Sequence, residues 1–190
     1  GLVDGEPLLR LHGLVTHGSG SDLGGESGSL GRIAERLIDR GIATQMLTGR
    51  EAARQWHGMR FEDEVLFSPD AGVVRAAAAL RELERRVTLA GGEVRWNTPV
   101  AAVEDRPVGA VVTLVGGERL EADVVVVTVG AWTGHLLPGI PLPPLRVTEE
   151  TPAHFAPRDG SVWPSFNHFA AGAIAPVYGM PTPGEGVKVG

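Results

Sequence analysis

The 190 residues contain no cysteine. That excludes disulfides, thiolate nucleophiles and cysteine-ligated zinc together, and it fits a reducing cytoplasm. No run approaches the roughly 18 apolar residues of a membrane-spanning helix, and the opening Gly1-Leu2-Val3-Asp4 has no cationic signal region. A membrane is therefore not an expected partner. Positive charge is outweighed, with a net charge of −6. A nucleic-acid partner would call for a basic patch or stripe, so none is expected. Two residue types occur once each: lysine as Lys188 and tyrosine as Tyr178.

Several chemical signatures are missing too. A P-loop is excluded because the sole lysine stands at the far end of the chain. Gly25-Glu26-Ser27-Gly28-Ser29 fails the GxSxG nucleophile elbow at its last position. The six histidines, His12, His17, His57, His135, His154 and His168, never reach HExxH spacing, so no metal site is expected.

What remains is enough for a folded core, since 43% of residues are hydrophobic. Leu11 to His17 reads as a strand. Gly18-Ser19-Gly20-Ser21-Asp22-Leu23-Gly24 follows, spaced GxGxxxG. That is one residue longer than a dinucleotide fingerprint, which favours a surface loop over a phosphate cradle. A helix starting at Ser29 places Leu30, Ile33, Ala34, Leu37 and Ile38 on one face, and Gly41 stops it. Residues 42–47 suit a strand and 50–56 a short helix. The strongest helix runs over 74–90, with Ala76, Leu80, Leu83, Val87 and Ala90 stepping by three and four. Short strands are expected at 93–96, 100–104, 110–115 and 119–121, the last two joined by a Gly116-Gly117 turn.

Asp123-Val-Val-Val-Val-Thr-Val-Gly130 differs in kind. A β-branched run without alternation predicts a strand buried on both faces. It empties into Gly130-Ala131-Trp132-Thr133. A glycine at that point can let backbone approach a flat ligand; an ordinary core strand with a glycine turn gives the same pattern.

Four segments in order carry a resemblance: Pro69-Asp70-Ala71-Gly72 opening a helix; Asn97-Thr98-Pro99-Val100 at a strand start; Val124 to Thr133; and Trp163-Pro164-Ser165-Phe166 followed by Tyr178-Gly179-Met180-Pro181 and Gly186 to Gly190. Together they resemble the FAD-dependent amine oxidases of the monomeric sarcosine oxidase and N-methyltryptophan oxidase type, within the D-amino-acid-oxidase superfamily. The resemblance implies an α+β fold. Residues 69–139 would form part of a Rossmann-like FAD-binding domain, with a helix, a meander and the buried strand. Residues 1–68 and 140–190 would form a mostly antiparallel substrate domain.

It also implies roles. Val100 would contact the adenine end of FAD through its main chain, and Gly130, Ala131 and Trp132 would lie against the flavin nucleotide. Tyr178 would line the substrate cavity. Lys188 would stand near the flavin ring, where a fixed cation helps as negative charge builds on oxygen. Without the resemblance, Tyr178 reads as a packed aromatic and Lys188 as a surface cation. The implied reaction is oxidation of a secondary or primary amino acid, sarcosine-like, with oxygen as acceptor. The amino-terminal GxGxxG unit, its acidic ribose ligand and the basic residues that hold substrate carboxylate are absent. The glycine-rich stretch around Lys188 is one residue shorter than the family pattern. The chain therefore reads as a middle fragment, with the remaining segments of the parent chain as partners. Alternatives are another superfamily member, such as a glycine oxidase or an amine dehydrogenase, and a non-catalytic folded module.

Overall fold

The computed structural model describes residues 2–18, 29–62, 64–156, 161–169 and 176–190. The expected glycine loop lies outside the described residues from position 19 onward. The chain divides into two compact units, residues 1–83 with 150–190, and residues 84–149.

The first unit opens with β1 (Leu2–Val3) paired to β2 (Glu6–Pro7), then β3 (Leu9–Leu11) and β4 (Leu14–Gly18). Helix α1 (Leu30–Ile38) begins where the Ser29 hydroxyl accepts from the Arg32 amide at 3.3 Å, satisfying one of the donors that a helix start leaves free. It stops at Gly41, whose φ of +70° lets the Ile42 amide turn back to the Leu37 carbonyl. The stripe predicted from its periodicity holds for four of its five residues: Leu30 and Ala34 are buried with Leu66, and Ile33 and Leu37 pack against them, whereas Ile38, at the last helical position, is 60% exposed.

Next come β5 (Gln45–Thr48) and α2 (Gly49–Gln55). Thr48 and Glu51 cap α2 reciprocally. The Glu51 carboxylate accepts from the Thr48 amide at 2.8 Å, and the Thr48 hydroxyl accepts from the Glu51 amide at 3.3 Å. Then follow β6 (Glu64–Ser68) and β7 (Gly72–Val74), which pairs with β3. Helix α3 (Ala76–Leu89) crosses from the first unit's residues into the second's.

The second unit carries an antiparallel meander, β8 (Val100–Asp105), β9 (Ala110–Leu114) and β10 (Arg119–Ala122). Val111 and Leu114 are its buried apolar side chains. Arg95 donates to both oxygens of Glu118 at 2.9 and 2.8 Å, which raises the arginine's affinity for its proton and lowers the carboxyl's. No strand forms at residues 93–96. All four are exposed, with no neighbouring strand to pair with.

The expected buried strand at 124–129 is corrected as well. The segment joins no ladder, and Val124 and Val126 are 77% and 79% exposed. A run built for the middle of a parallel sheet needs a strand on each side and cover on both faces. Among the described residues nothing supplies these. The segment leads into a single 3-10 turn (Gly130–Trp132) and the short α4 (Thr133–Leu136).

Back in the first unit, β11 (Ala153–Phe155), β12 (Ser165–Phe169), β13 (Val177–Thr182) and β14 (Gly186–Val189) complete a seven-stranded sheet. Its order is β11-β14-β13-β12-β4-β6-β5. Only the β12–β4 pairing within it is parallel. Val15 and Val65 are fully buried on one face, with Ala52 and Trp56 from α2 and its end; Leu66, on the opposite face, lies beneath α1. The antiparallel sheet expected for the flanking segments is therefore present, with one parallel seam.

Candidate functional site: one sheet face and one cleft

Strand pairing decides which side chains share a face, because directly opposed residues project the same way. Tyr178 stands opposite Gly190, each donating its amide to the other's carbonyl at 2.9 and 3.0 Å. Met180 stands opposite Lys188 in the same ladder. Tyr178 and Lys188 are thus diagonal neighbours on one face of β13 and β14. Both are half-buried. Along the strands this is a separation of ten residues; across the sheet it is one step.

The same register adds residues that sequence reasoning missed. His154 lies opposite Lys188, and Asn167 lies between Tyr178 and Thr16. His154 makes an ion pair with Glu185 at 3.2 Å when protonated. Lys188 has no carboxylate within ion-pair distance among the described residues. No sequence motif marks Asn167 or His154, since only the pairing of distant strands brings them beside Tyr178 and Lys188. Gly179 has its own reason to be glycine: a Cβ there would sit 2.3 Å from two ring carbons of Phe166.

Within the second unit, Val100, Gly130 and Trp132 meet at one cleft of about 720 Å³, together with Thr98, Pro99, Val129 and Leu136. Ala131, between Gly130 and Trp132, is exposed on the same turn. Gly130 has φ of +52° and open space where a Cβ would point. The Thr133 hydroxyl donates to the Gly130 carbonyl at 2.6 Å and fixes the turn. Trp132 is 69% exposed. An apolar cleft whose edge is bare backbone and an exposed indole suits one end of a flat heteroaromatic ligand. The fit covers that end only, because no phosphate-binding glycine unit of the GxGxxG kind occurs in the sequence.

Comparison with known proteins gives the family of the chain. The family profile of the FAD dependent oxidoreductases (DAO) matches residues 5–190. The chain belongs to that family. N-methyl-L-tryptophan oxidase of Yersinia pestis (strain Pestoides F) is 28% identical over 194 residues, covering 98% of this chain and 49% of the relative. Among solved structures, NikD, an unusual amino acid oxidase essential for nikkomycin biosynthesis, aligns with a TM-score of 0.72 at 20% identity. The alignment covers 97% of this chain and 49% of NikD. L-proline dehydrogenase from P. horikoshii aligns with a TM-score of 0.73 at 17% identity, covering 96% and 49%. The two structures share the fold of this chain, and the chain spans about half the length of the curated relatives it matches.

Proposed function

We propose that this chain is part of a flavin-dependent oxidase of the sarcosine-oxidase type, acting on a small secondary or primary amino acid with oxygen as acceptor. The observation that carries this reading is the shared sheet face of Tyr178 and Lys188, the chain's sole tyrosine and sole lysine. Two-electron redox chemistry between substrate and oxygen would be supplied by FAD. The residues of this chain do the rest. Val100, Gly130, Ala131 and Trp132 would hold the nucleotide along the cleft. Tyr178 would bound the substrate space, with Asn167 beside it. Lys188 would present an uncompensated cation where oxygen acquires negative charge, and such fixed groups act strongly where water is excluded. The absence of cysteine supports a cytoplasmic setting.

Two expected outcomes follow for the reading. The isolated 190-residue chain should retain no stoichiometric FAD, measured by absorbance after desalting, because pyrophosphate contacts come mainly from glycine turns at helix N-termini. In the complete parent protein, Lys188→Met should slow reoxidation of reduced flavin by roughly 10²-fold. Anaerobic flavin reduction by sarcosine should change far less. Stopped-flow measurement of both half-reactions separates the cases: equal losses would make Lys188 structural, and no loss would make it a surface cation. A parent that reduces with substrate yet ignores oxygen would be a dehydrogenase instead.

A further inference from the structure

The sheet face that carries Tyr178 and Lys188 holds another chemically capable side chain. Residues two apart on a strand project the same way, so Ser165 shares the face of Asn167 and hence of Tyr178. Its hydroxyl lies 2.9 Å from Nε2 of His12, a residue of the turn between β3 and β4. The other ring nitrogen, Nδ1, lies 3.2 Å from the Arg10 carbonyl oxygen. Both His12 and Ser165 are half-buried. Main-chain bonds fix each of them independently. The His12 amide donates to the Ala71 carbonyl at 3.2 Å, and the Ser165 amide donates to the Gly13 carbonyl at 3.1 Å. As a fastening the side-chain bond is redundant, because β12 and β4 already pair along their whole length.

A carbonyl oxygen can only accept, which places the proton of the neutral imidazole on Nδ1. Nε2 then carries a lone pair, and the Ser165 hydroxyl must supply the proton of the bond between them. A hydroxyl has a single proton to give, so what Ser165 keeps for a third group is acceptor capacity alone. We propose that Ser165, held in this state by His12, accepts the amine N–H of the substrate and selects primary and secondary amines over tertiary ones. The inference rests on the reading of this face as an amino-acid-oxidising site. Oxidation requires the nitrogen to offer its lone pair to the carbon that loses hydride, so the substrate reacts as the free amine. In that form a secondary amine such as sarcosine still has an N–H to donate, and a tertiary amine such as N,N-dimethylglycine has none.

The register puts this acceptor within a small molecule's length of the cation. Phe166 stands opposite Gly179, so the same antiparallel ladder, extended by one residue, sets Ser165 beside Met180, and Met180 stands opposite Lys188. Ser165, Met180 and Lys188 thus form one row across three strands. With neighbouring strands about 4.8 Å apart, the ends of that row are separated by about 10 Å of backbone. Tyr178 lies one diagonal step from Ser165 on the same face. A tertiary amine bound there would press a methyl group against an oxygen that has lost its donor. That combination costs more than the absence of a hydrogen bond alone.

Steady-state kinetics of the complete, FAD-loaded parent protein at pH 8 test this, with sarcosine and N,N-dimethylglycine as the paired substrates. Where another amino acid is oxidised faster, its N-methyl and N,N-dimethyl forms take their place. The ratio of kcat/KM for the secondary over the tertiary amine should fall by about tenfold or more in Ser165→Ala, with the loss seen in KM for the secondary amine. Ser165→Thr, which keeps the hydroxyl, should restore the ratio. His12→Leu should lower it in the same direction and by less, since a released hydroxyl still accepts in some of its orientations. If Ser165→Ala fails to fold, Ser165→Cys, close in shape and a poor acceptor, gives the same comparison. An unchanged ratio would overturn the proposal, as would equal losses for both amines, which would make the pair a structural tie. A parent that oxidises no amino acid would overturn the reading of the whole face, and this proposal with it.

Discussion

Two valine-rich regions of this chain meet opposite fates. In β4 and β6, Val15 and Val65 are fully buried between paired strands and the side chains around α2. In residues 124–129 the valines are more numerous and more consecutive, yet Val124 and Val126 are among the most exposed apolar side chains of the chain. Composition alone would rank the second region as the better core. The difference lies in partners: β4 is flanked by β12 and β6, whereas the run at 124–129 pairs with nothing described. Hydrophobic sequence states what a strand needs, and burial depends on whether neighbours exist to meet that need.

The same substitution placed in each region sharpens the contrast. Val65→Asp puts a carboxylate where no solvent reaches, at a cost comparable with the whole stability of a domain, about 5–15 kcal/mol. Loss of the cooperative circular-dichroism melt is the expected outcome. A folded, cooperatively melting variant would show that β6 is not central. The pH dependence comes next in size. Burial, and secondarily repulsion from His168, holds the pKa of His17 below the imidazole's ordinary value of 6.5, at about 4. The unfolded chain therefore binds the extra proton first. This contribution to stability is fully present above pH 6.5 and is lost as pH falls toward 4, by up to about 3 kcal/mol. Urea denaturation at pH 7, 5.5 and 4 should show the slope, and His17→Gln should flatten it. The smallest effect belongs to Val126→Asp. At a side chain 79% exposed, it should shift the urea midpoint of the isolated chain by no more than about 0.5 kcal/mol in free energy. A large loss there would mean that the run is covered in solution and that the contrast fails.

Much of the local structure was legible. The existence of helices α1, α2 and α3, the Gly41 stop and the Gly116-Gly117 turn of the meander follow from periodicity and from residues with a distinct backbone preference. These are signals that a short window contains. The apolar face read for α3, however, is exposed at Leu80, Leu83 and Val87, and Gly72–Val74, where Pro69-Asp70-Ala71-Gly72 is expected to open that helix, pairs as β7 instead. The sheet's order could not be read this way, because β4 lies between strands about 50 residues downstream and about 150 residues downstream. The site divides along the same line. Val100, Gly130 and Trp132 could be named one by one from the resemblance, and their shared cleft appears only in three dimensions. His12 and Ser165, 153 residues apart, carried no spacing signal at all. The strand expected at 124–129 failed for the converse reason. Its window is self-consistent, and the missing ingredient is outside the window.

Gly179 gives the sheet a kind of alignment key. Phe166 fills the space where a side chain at position 179 would project. Sliding β13 by one residue would bring Tyr178 or Met180 onto that ring, so the misaligned pairing is blocked by volume and not merely disfavoured. The direction in which Tyr178 points is therefore settled by a neighbour that takes no part in whatever Tyr178 does. Positions 178, 180 and 188 become interchangeable sockets: their side chains can be exchanged to suit a different small molecule while their address on the sheet stays the same. Position 179 has no such freedom, and a library that randomises this hairpin should return glycine there and variety on either side.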